Sequence, residues 1–499
     1  MNRLAVTAAA AAAAATLAAA APAVAAAAPI APGPPSSLPA SVGGPATPHP
    51  VADRTDAPQN PFFAANPNNN LHNDPWMTDA YRRPGPLGRR SVTLSSSFGP
   101  SVCGSITFDR RGRIVTVCPS AAQTPKLRLI DPRTLDVIAS YELPSAPPLA
   151  GTPIYQNFTG GGYFFLDSKD RVWSATATSH LLVIAETANG RGFVKQRDYD
   201  LTTVLSSTER VSSALADWKG RIWFVTKSKG RVGVLDPKTG AIRSIVLNEE
   251  IENSFAVDRD GVYIASDKRM YRFGLTRAGT PRVTWKVTYR NSGIAKPGQV
   301  DAGTGTTPTL MANGLVSITD NADPMNVVVY RRAAKLKAGE RRTVCEVPVF
   351  RKGASATENS LISAGRALVV ENNYGYRNPL GPEGANVNTV AGYARVDVNA
   401  KLTGCKLTWS TARESGPSVV PKLSTATGLI YAYTRDQDPN GSQPWYWTAL
   451  DFRTGKTVFK RLAGTGFDFN NNYAGVALGP DGASAYLGVF GGIVALKDR

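Results

Sequence analysis

Two copies of one carboxylate-amide-hydroxyl triplet, Glu252-Asn253-Ser254 and Glu358-Asn359-Ser360, stand in this chain with Thr306-Thr307-Pro308 between them. Further acids and amides form short runs: Asp267, then Asp320-Asn321-Ala322-Asp323, then Glu371-Asn372-Asn373, then Asp468 with Asn470-Asn471-Asn472. Oxygen ligands of this kind suit a hard cation such as calcium, and they also suit hydrogen bonding to a polar ligand. The candidate ligand-binding set is Glu252, Asn253, Asp320, Asn321, Glu358, Asn359, Glu371, Asn372 and Asn472. The first six are also the candidate metal ligands, and a divalent ion held by them would polarise a ligand carbonyl. Asn and Asp cap loops in every fold. Whether these residues make a site therefore depends on the elements that position them.

Those elements are announced by a recurring turn. Asp109-Arg110-Arg111-Gly112 precedes RIVTV, Asp217-Trp218-Lys219-Gly220 precedes RIWFVT, and Asp258-Arg259-Asp260-Gly261 precedes VYIAS. Weaker copies begin at Asp167, Ala312, Ala364, Ala426 and Gly479, giving units spaced by roughly 40 to 60 residues. Asp caps its own backbone two residues on, and Gly takes the positive φ of a tight antiparallel connection, so each unit opens with a hairpin. A second turn, seen in Asp131-Pro132-Arg133-Thr134, Asp236-Pro237-Lys238-Thr239-Gly240 and Asp451-Phe452-Arg453-Thr454-Gly455, separates a third strand from a fourth. Four short strands per repeat predict an all-β fold, a β-propeller of eight blades, with seven as the alternative.

The last repeat ends after a third strand, Ile493-Val494-Ala495-Leu496, and lacks an outer one. Ser91-Val92-Thr93-Leu94-Ser95 alternates as a strand just before the first repeat, so an N-terminal strand is expected to complete the last blade and close the ring. In such a ring the first strand of each blade starts, and the second ends, on the face opposite the Asp turns. That register sends the triplets and acid-amide runs to one channel mouth and reserves the turn aspartates for structure.

Upstream, residues 1–28 read as a secretory signal: Arg3, an Ala/Leu/Val run and small-residue cleavage sites such as Ala21-Pro22-Ala23. No other segment approaches the apolar length of a membrane span. Residues 29–60, rich in Pro, Ala, Ser and Gly, read as a flexible tether; residues 61–90 read as an irregular arm whose Phe62, Phe63, Trp76 and Tyr81 pack on the propeller of residues 91–499. Export favours disulfides among the four cysteines. Cys103 with Cys118 would link neighbouring strands of the first blade, and Cys345 with Cys405 the outer strands of the fifth and sixth.

The net charge of +18 is scattered over many turns, which points to an anionic envelope or polymer surface as a partner and, without any helix-turn-helix or RNA-binding motif, away from nucleic acid. Three histidines, two of them ahead of the repeats, exclude the multi-histidine iron centre of propeller oxygenases, and no Gly-x-Ser-x-Gly elbow anchors a serine-hydrolase triad. Asn157-Phe158-Thr159 matches a glycosylation sequon, and Trp445-Tyr446-Trp447 and Tyr374-Gly375-Tyr376-Arg377 offer aromatic surfaces for ligand stacking or for packing between blades.

WTALDFRTGKTVFKRL and YAGVALGPDGASAYLGVFGGIVALKD resemble the repeats of quinoprotein-like propellers. In that family a calcium-bound pyrroloquinoline quinone sits beside a disulfide of adjacent cysteines in a longer chain; this sequence has no adjacent cysteines, so the quinone is not carried over. The polar mouth is similar in kind to that of calcium-dependent lactonase and gluconolactonase propellers, a resemblance that implies Ca2+ at Glu252, Asn253, Asp320, Asn321, Glu358 and Asn359. Three functions are thus expected: a secreted module binding a small molecule, glycan or envelope component, a metal-dependent lactonase or esterase, or an extracellular interaction scaffold.

Overall fold

Alternating apolar runs and Asp-Gly turns fold as eight antiparallel four-stranded blades, one of them widened to six strands by N-terminal segments, in the computed structural model, which describes residues 28–99, 101–119, 124–147, 160–380 and 389–499. The first blade is Ser105–Phe108, Ile114–Cys118, Lys126–Ile130 and Val137–Glu142. The inner strands of the next seven are Phe164–Leu166, Val211–Ala216, Ala256–Asp258, Thr309–Met311, Ile362–Ala364, Lys422–Ser424 and Ala477–Leu478. Inner strands lie between two neighbouring blades, so both of their faces are buried; outer strands such as Ile242–Val246 alternate between cover and solvent. The predicted signal and the glycosylation sequon fall outside the described residues.

The turn aspartates do what their spacing predicts. Asp109 Oδ1 accepts the N–H groups of Arg111 and Arg113 at 2.9 and 2.8 Å, while Oδ2 accepts Arg113 Nε at 2.7 Å. Asp167 and Asp217 repeat the pattern and each also accepts an indole N–H, from Trp173 and Trp223. Gly112 takes φ 75° in the first turn.

Val92–Ser97 runs antiparallel to Gly492–Lys497 and supplies the outer strand of blade eight, closing the ring as expected. Both disulfides form with the expected partners: Cys103 to Cys118 within blade one, and Cys345 to Cys405 across the outer strands of blades five and six.

Residues 29–60 depart from the tether expectation. Ser41–Val42 pairs with Thr457–Thr465, the outer strand of blade seven; the carbonyls of Pro35 and Pro39 accept Asn440 Nδ2 and Tyr446 O–H; and Ile30 and Ala46 are buried. Composition concealed this because the order comes from backbone groups meeting an open sheet edge, which needs no bulky side chains.

The arm does more than pack on the ring, for it crosses the channel at the Asp-turn end. Asn60 Nδ2 donates to Ala216 O in blade three, Ala64 N to Leu166 O in blade two, and blade residues Val257, Leu310, Ser363 and Leu423 donate N–H groups to Pro75, Trp76, Thr78 and Asp79 carbonyls. Ala80–Tyr81 then adds a parallel strand to Lys422–Ser424, and Arg83 reaches Leu478 O in blade eight. Phe63, Trp76 and Met77 join the main hydrophobic core.

Within this crossing Lys422 Nζ is fully buried and paired with Asp79, which also accepts His72 Nδ1 at 3.1 Å, while Leu71 O takes a second bond from Nζ at 2.5 Å. Burial alone would raise the Asp79 carboxyl; His72 and Lys422 outweigh it and hold the group below its ordinary value. Removing the anion leaves a buried ammonium uncompensated. Asp79→Asn is therefore expected to lower unfolding free energy by about 3–5 kcal/mol, with Asp79→Asn/Lys422→Met recovering much of the loss in guanidinium titrations.

Candidate functional site

With the arm as a floor, the channel is a chamber open toward the face opposite the Asp turns. Its walls come from residues that lead into successive inner strands, where backbone still irregular lets side chains point to the axis. Tyr163 leads into blade two, Glu252 and Asn253 into blade four, Thr307 into blade five and Glu358 into blade six. The Tyr163 phenol donates to Asn253 Oδ1 at 3.1 Å and lies against the Thr307 hydroxyl; burial first, then the charges of Glu252 and Glu358, raise its pKa. Below it the His72 ring stacks at a centroid distance of 6.3 Å, and His72 Nε2 is buried with no hydrogen-bond partner.

Three carboxyls share this space. Glu252 pairs with Lys227 Nζ, yet burial, helped by Asp301, pushes it up to about 7. Burial also lifts Asp301 to about 6, with Oδ1 held by Gly303 N–H at 2.7 Å. Glu358 is raised well above the usual carboxylate range by burial, then by Asp301 and Glu252. Its Oε2 accepts Val300 N–H at 3.2 Å; its Oε1 is buried and has no partner. Gly305, at φ 66°, is the position that permits this fit, since a Cβ there would come within 2.8 Å of Glu358 Oε2 and 2.1 Å of Thr357 O.

Val300, Asp301 and Gly305 belong to the link between blades four and five, which lies across part of the mouth as a strap. Lys296 Nζ ties it to Ser355 O at 3.2 Å, Gly375 N–H donates to Pro297 O at 3.0 Å, and Tyr473 O–H reaches Gly298 O at 3.4 Å.

The structure thus brings Glu252, Asn253 and Glu358 together and disperses the rest of the predicted set. Asp320 caps the Ala322 and Asn326 N–H groups and accepts Asn326 Nδ2. Asn321 Nδ2 holds the strap through Asn291 Oδ1 and Ile294 O. Asn359 Nδ2 bonds Glu371 and Val419 O, Glu371 also accepts Asn373 Nδ2, and Asn372 bonds Ala354, Ala356 and Tyr374 backbone. Asn472 Oδ1 accepts Tyr376 O–H. Among the described residues no group of three or more His, Cys, Asp or Glu side chains is arranged to hold a metal ion.

Trp445 and Trp447 are buried in blade packing rather than offered to a ligand. A recess of about 60 Å³ is lined by Arg54, Asp56, Asp74, Tyr81 and Ser363. Sequence reasoning missed Tyr163, Lys227, Asp301 and His72. Tyr163 was within reach of the register argument, standing just before FFLD as Glu252 stands before its own strand; His72 had no such signal.

No family model matches the sequence, and no curated protein matches it. Among solved structures, a quinohemoprotein alcohol dehydrogenase from Pseudomonas putida HK5 is similar with a TM-score of 0.51 and 11% identity, over 87% of this chain and 80% of that one. A virginiamycin B lyase from Staphylococcus aureus gives 0.42 at 11% identity, over 82% and 99%. A candidate 6-phosphogluconolactonase from Bacteroides fragilis gives 0.40 at 10%, over 75% and 97%. The chain's own eight sheets define the class, an eight-bladed β-propeller. At these identities the likeness shows fold alone, and the chemistry must come from the chamber itself.

A carboxyl whose folded pKa is raised keeps its proton where the unfolded chain has already lost it, so stability falls as pH rises between the two values. For Glu252, Asp301 and Glu358 that window opens near pH 4 and extends to about 7 and above. Thermal midpoints are expected to decline from pH 5 to 7.5, and Glu358→Gln or Asp301→Asn to flatten the decline, as scanning calorimetry would read directly.

Proposed function

We propose that the protein is an exported binding module that takes a small polar molecule, a glycan fragment or another envelope component, into this chamber. The observation that carries the reading is Glu358: a buried carboxyl leading into blade six, one oxygen held by Val300 and the other buried without a partner. Buried polar atoms are almost always satisfied, and exceptions call for a ligand or bound water. His72 Nε2 on the floor is a second such atom in the same space.

Binding is favoured over metal-dependent hydrolysis of lactones or esters because Asp320 and Asn321, two of the six expected cation ligands, are engaged in capping and strap anchoring. The two disulfides fit an oxidising compartment, and among the described residues no helix is long and apolar enough to cross a membrane. The charge of +18 supports residence near an anionic polymer or envelope surface.

A thermal-shift panel of hydroxylated, aminated and lactone-bearing small molecules tests the reading. One class is expected to raise the melting midpoint of the wild type, with Glu358→Gln removing the shift and Tyr163→Phe reducing affinity by roughly fivefold, the worth of about one hydrogen bond. Shifts that persist in Glu358→Gln would place binding elsewhere. Chelator-sensitive turnover of a lactone or aryl ester would replace the binding reading with the hydrolase.

A further inference from the structure

We propose that the chamber's ligand presents a primary ammonium group, seated on the free oxygen of Glu358 and compensated by the carboxyls of Asp301 and Glu252. This rests on the reading of the chamber as a ligand site and names the chemistry it selects.

Donors and acceptors in the chamber do not balance. Lys227 Nζ is engaged by Glu252, and the Tyr163 hydroxyl by Asn253 Oδ1. Glu358 Oε1 is buried with no hydrogen-bond partner, and once it gives up its proton it needs a donor that only a ligand can bring. An anionic ligand would meet the carboxyls of Asp301, Glu252 and Glu358, so its charge is opposed. A neutral sugar brings donors but no charge, so it cannot replace the proton that burial and the neighbouring acids favour on Glu358. A divalent metal needs several ligating oxygens converging on one point, and among the described residues no group of three or more His, Cys, Asp or Glu side chains is arranged to hold one. An ammonium supplies three N–H donors, accepts mixed anionic and neutral partners, and needs only a net negative surround.

In the empty chamber a proton takes the ammonium's place. Burial and neighbouring acids favour the protonated form of Glu358, so seating a cation there is coupled to release of that proton. The groups facing the site are Tyr163 from blade two, Lys227 from blade three, Glu250 and Glu252 before blade four, and Asp301 on the strap, with Asp79 on the floor already neutralised by Lys422. The overall charge of +18 opposes a cation at long range. Salt screens that field within about 8 Å, so selectivity resides in contacts inside the chamber.

Isothermal titration calorimetry of the full chain with methylammonium, glucosamine, glucose and acetate tests the proposal. Methylammonium and glucosamine are expected to bind and glucose and acetate not to. Affinity should rise by up to about tenfold per pH unit between pH 5 and 7, one proton being released, with an enthalpy that follows the ionisation heat of the buffer. Glu358→Gln should weaken binding more than tenfold and abolish the pH dependence while near-ultraviolet circular dichroism stays unchanged; Asp301→Asn gives the same readout at smaller amplitude should the first variant misfold. Glucose binding without methylammonium overturns the cation and leaves the chamber as a polar site. Binding by none of the four overturns the ammonium assignment, and full ammonium affinity in Glu358→Gln moves it out of the chamber.

Discussion

The inner strand of a propeller blade has one edge paired within the sheet and the other facing the channel, where its N–H and C=O groups need partners. Here the arm of residues 60–83 supplies them, blade after blade, and the rest of the architecture depends on that pairing. Because the arm passes at the Asp-turn end, the channel has a floor. Because it has a floor, the groups above it are shut away from water on one side and the strap covers part of the other. Burial is then the leading cause of every raised carboxyl in the chamber. Asn73, Met77 and Asp79 take φ of 77°, 58° and 54° along the crossing, conformations that cost about 1–2 kcal/mol each for residues with a Cβ and persist where contacts overdetermine them.

What the sequence made legible was local. Asp-x-x-Gly turns, period-two apolar runs and the missing last strand are all encoded within a few residues, and they yielded eight blades, ring closure and both disulfide pairings. Register alone placed Glu252, Asn253 and Glu358 at the starts of blades four and six, where the structure brings them near one another. It failed for Asp320 and Asn321 because a residue that caps a loop and one that faces a channel share the same local chemistry; only the direction of the side chain separates them. It did not reach residues 29–60 because their order arises from pairing with a strand hundreds of residues away, which no periodicity records.

Charge is distributed in opposition. The chain carries an excess of Lys and Arg, while the chamber gathers the carboxyls of Glu252, Asp301 and Glu358 beside the Lys227 ammonium. Burial favours the protonated form of all three.

The pairing of Lys422 with Asp79 spans 343 residues of chain. During synthesis the arm emerges first and its last partners, in blades seven and eight, emerge near the end. The strand that closes the ring, Val92–Ser97, is also early and waits for Gly492–Lys497. Both ends of the molecule's topology are therefore held in suspense until Gly492–Lys497 is made. A chain interrupted anywhere before blade eight has neither a closed ring nor a complete floor, so that strand sets the moment at which the native ring can assemble.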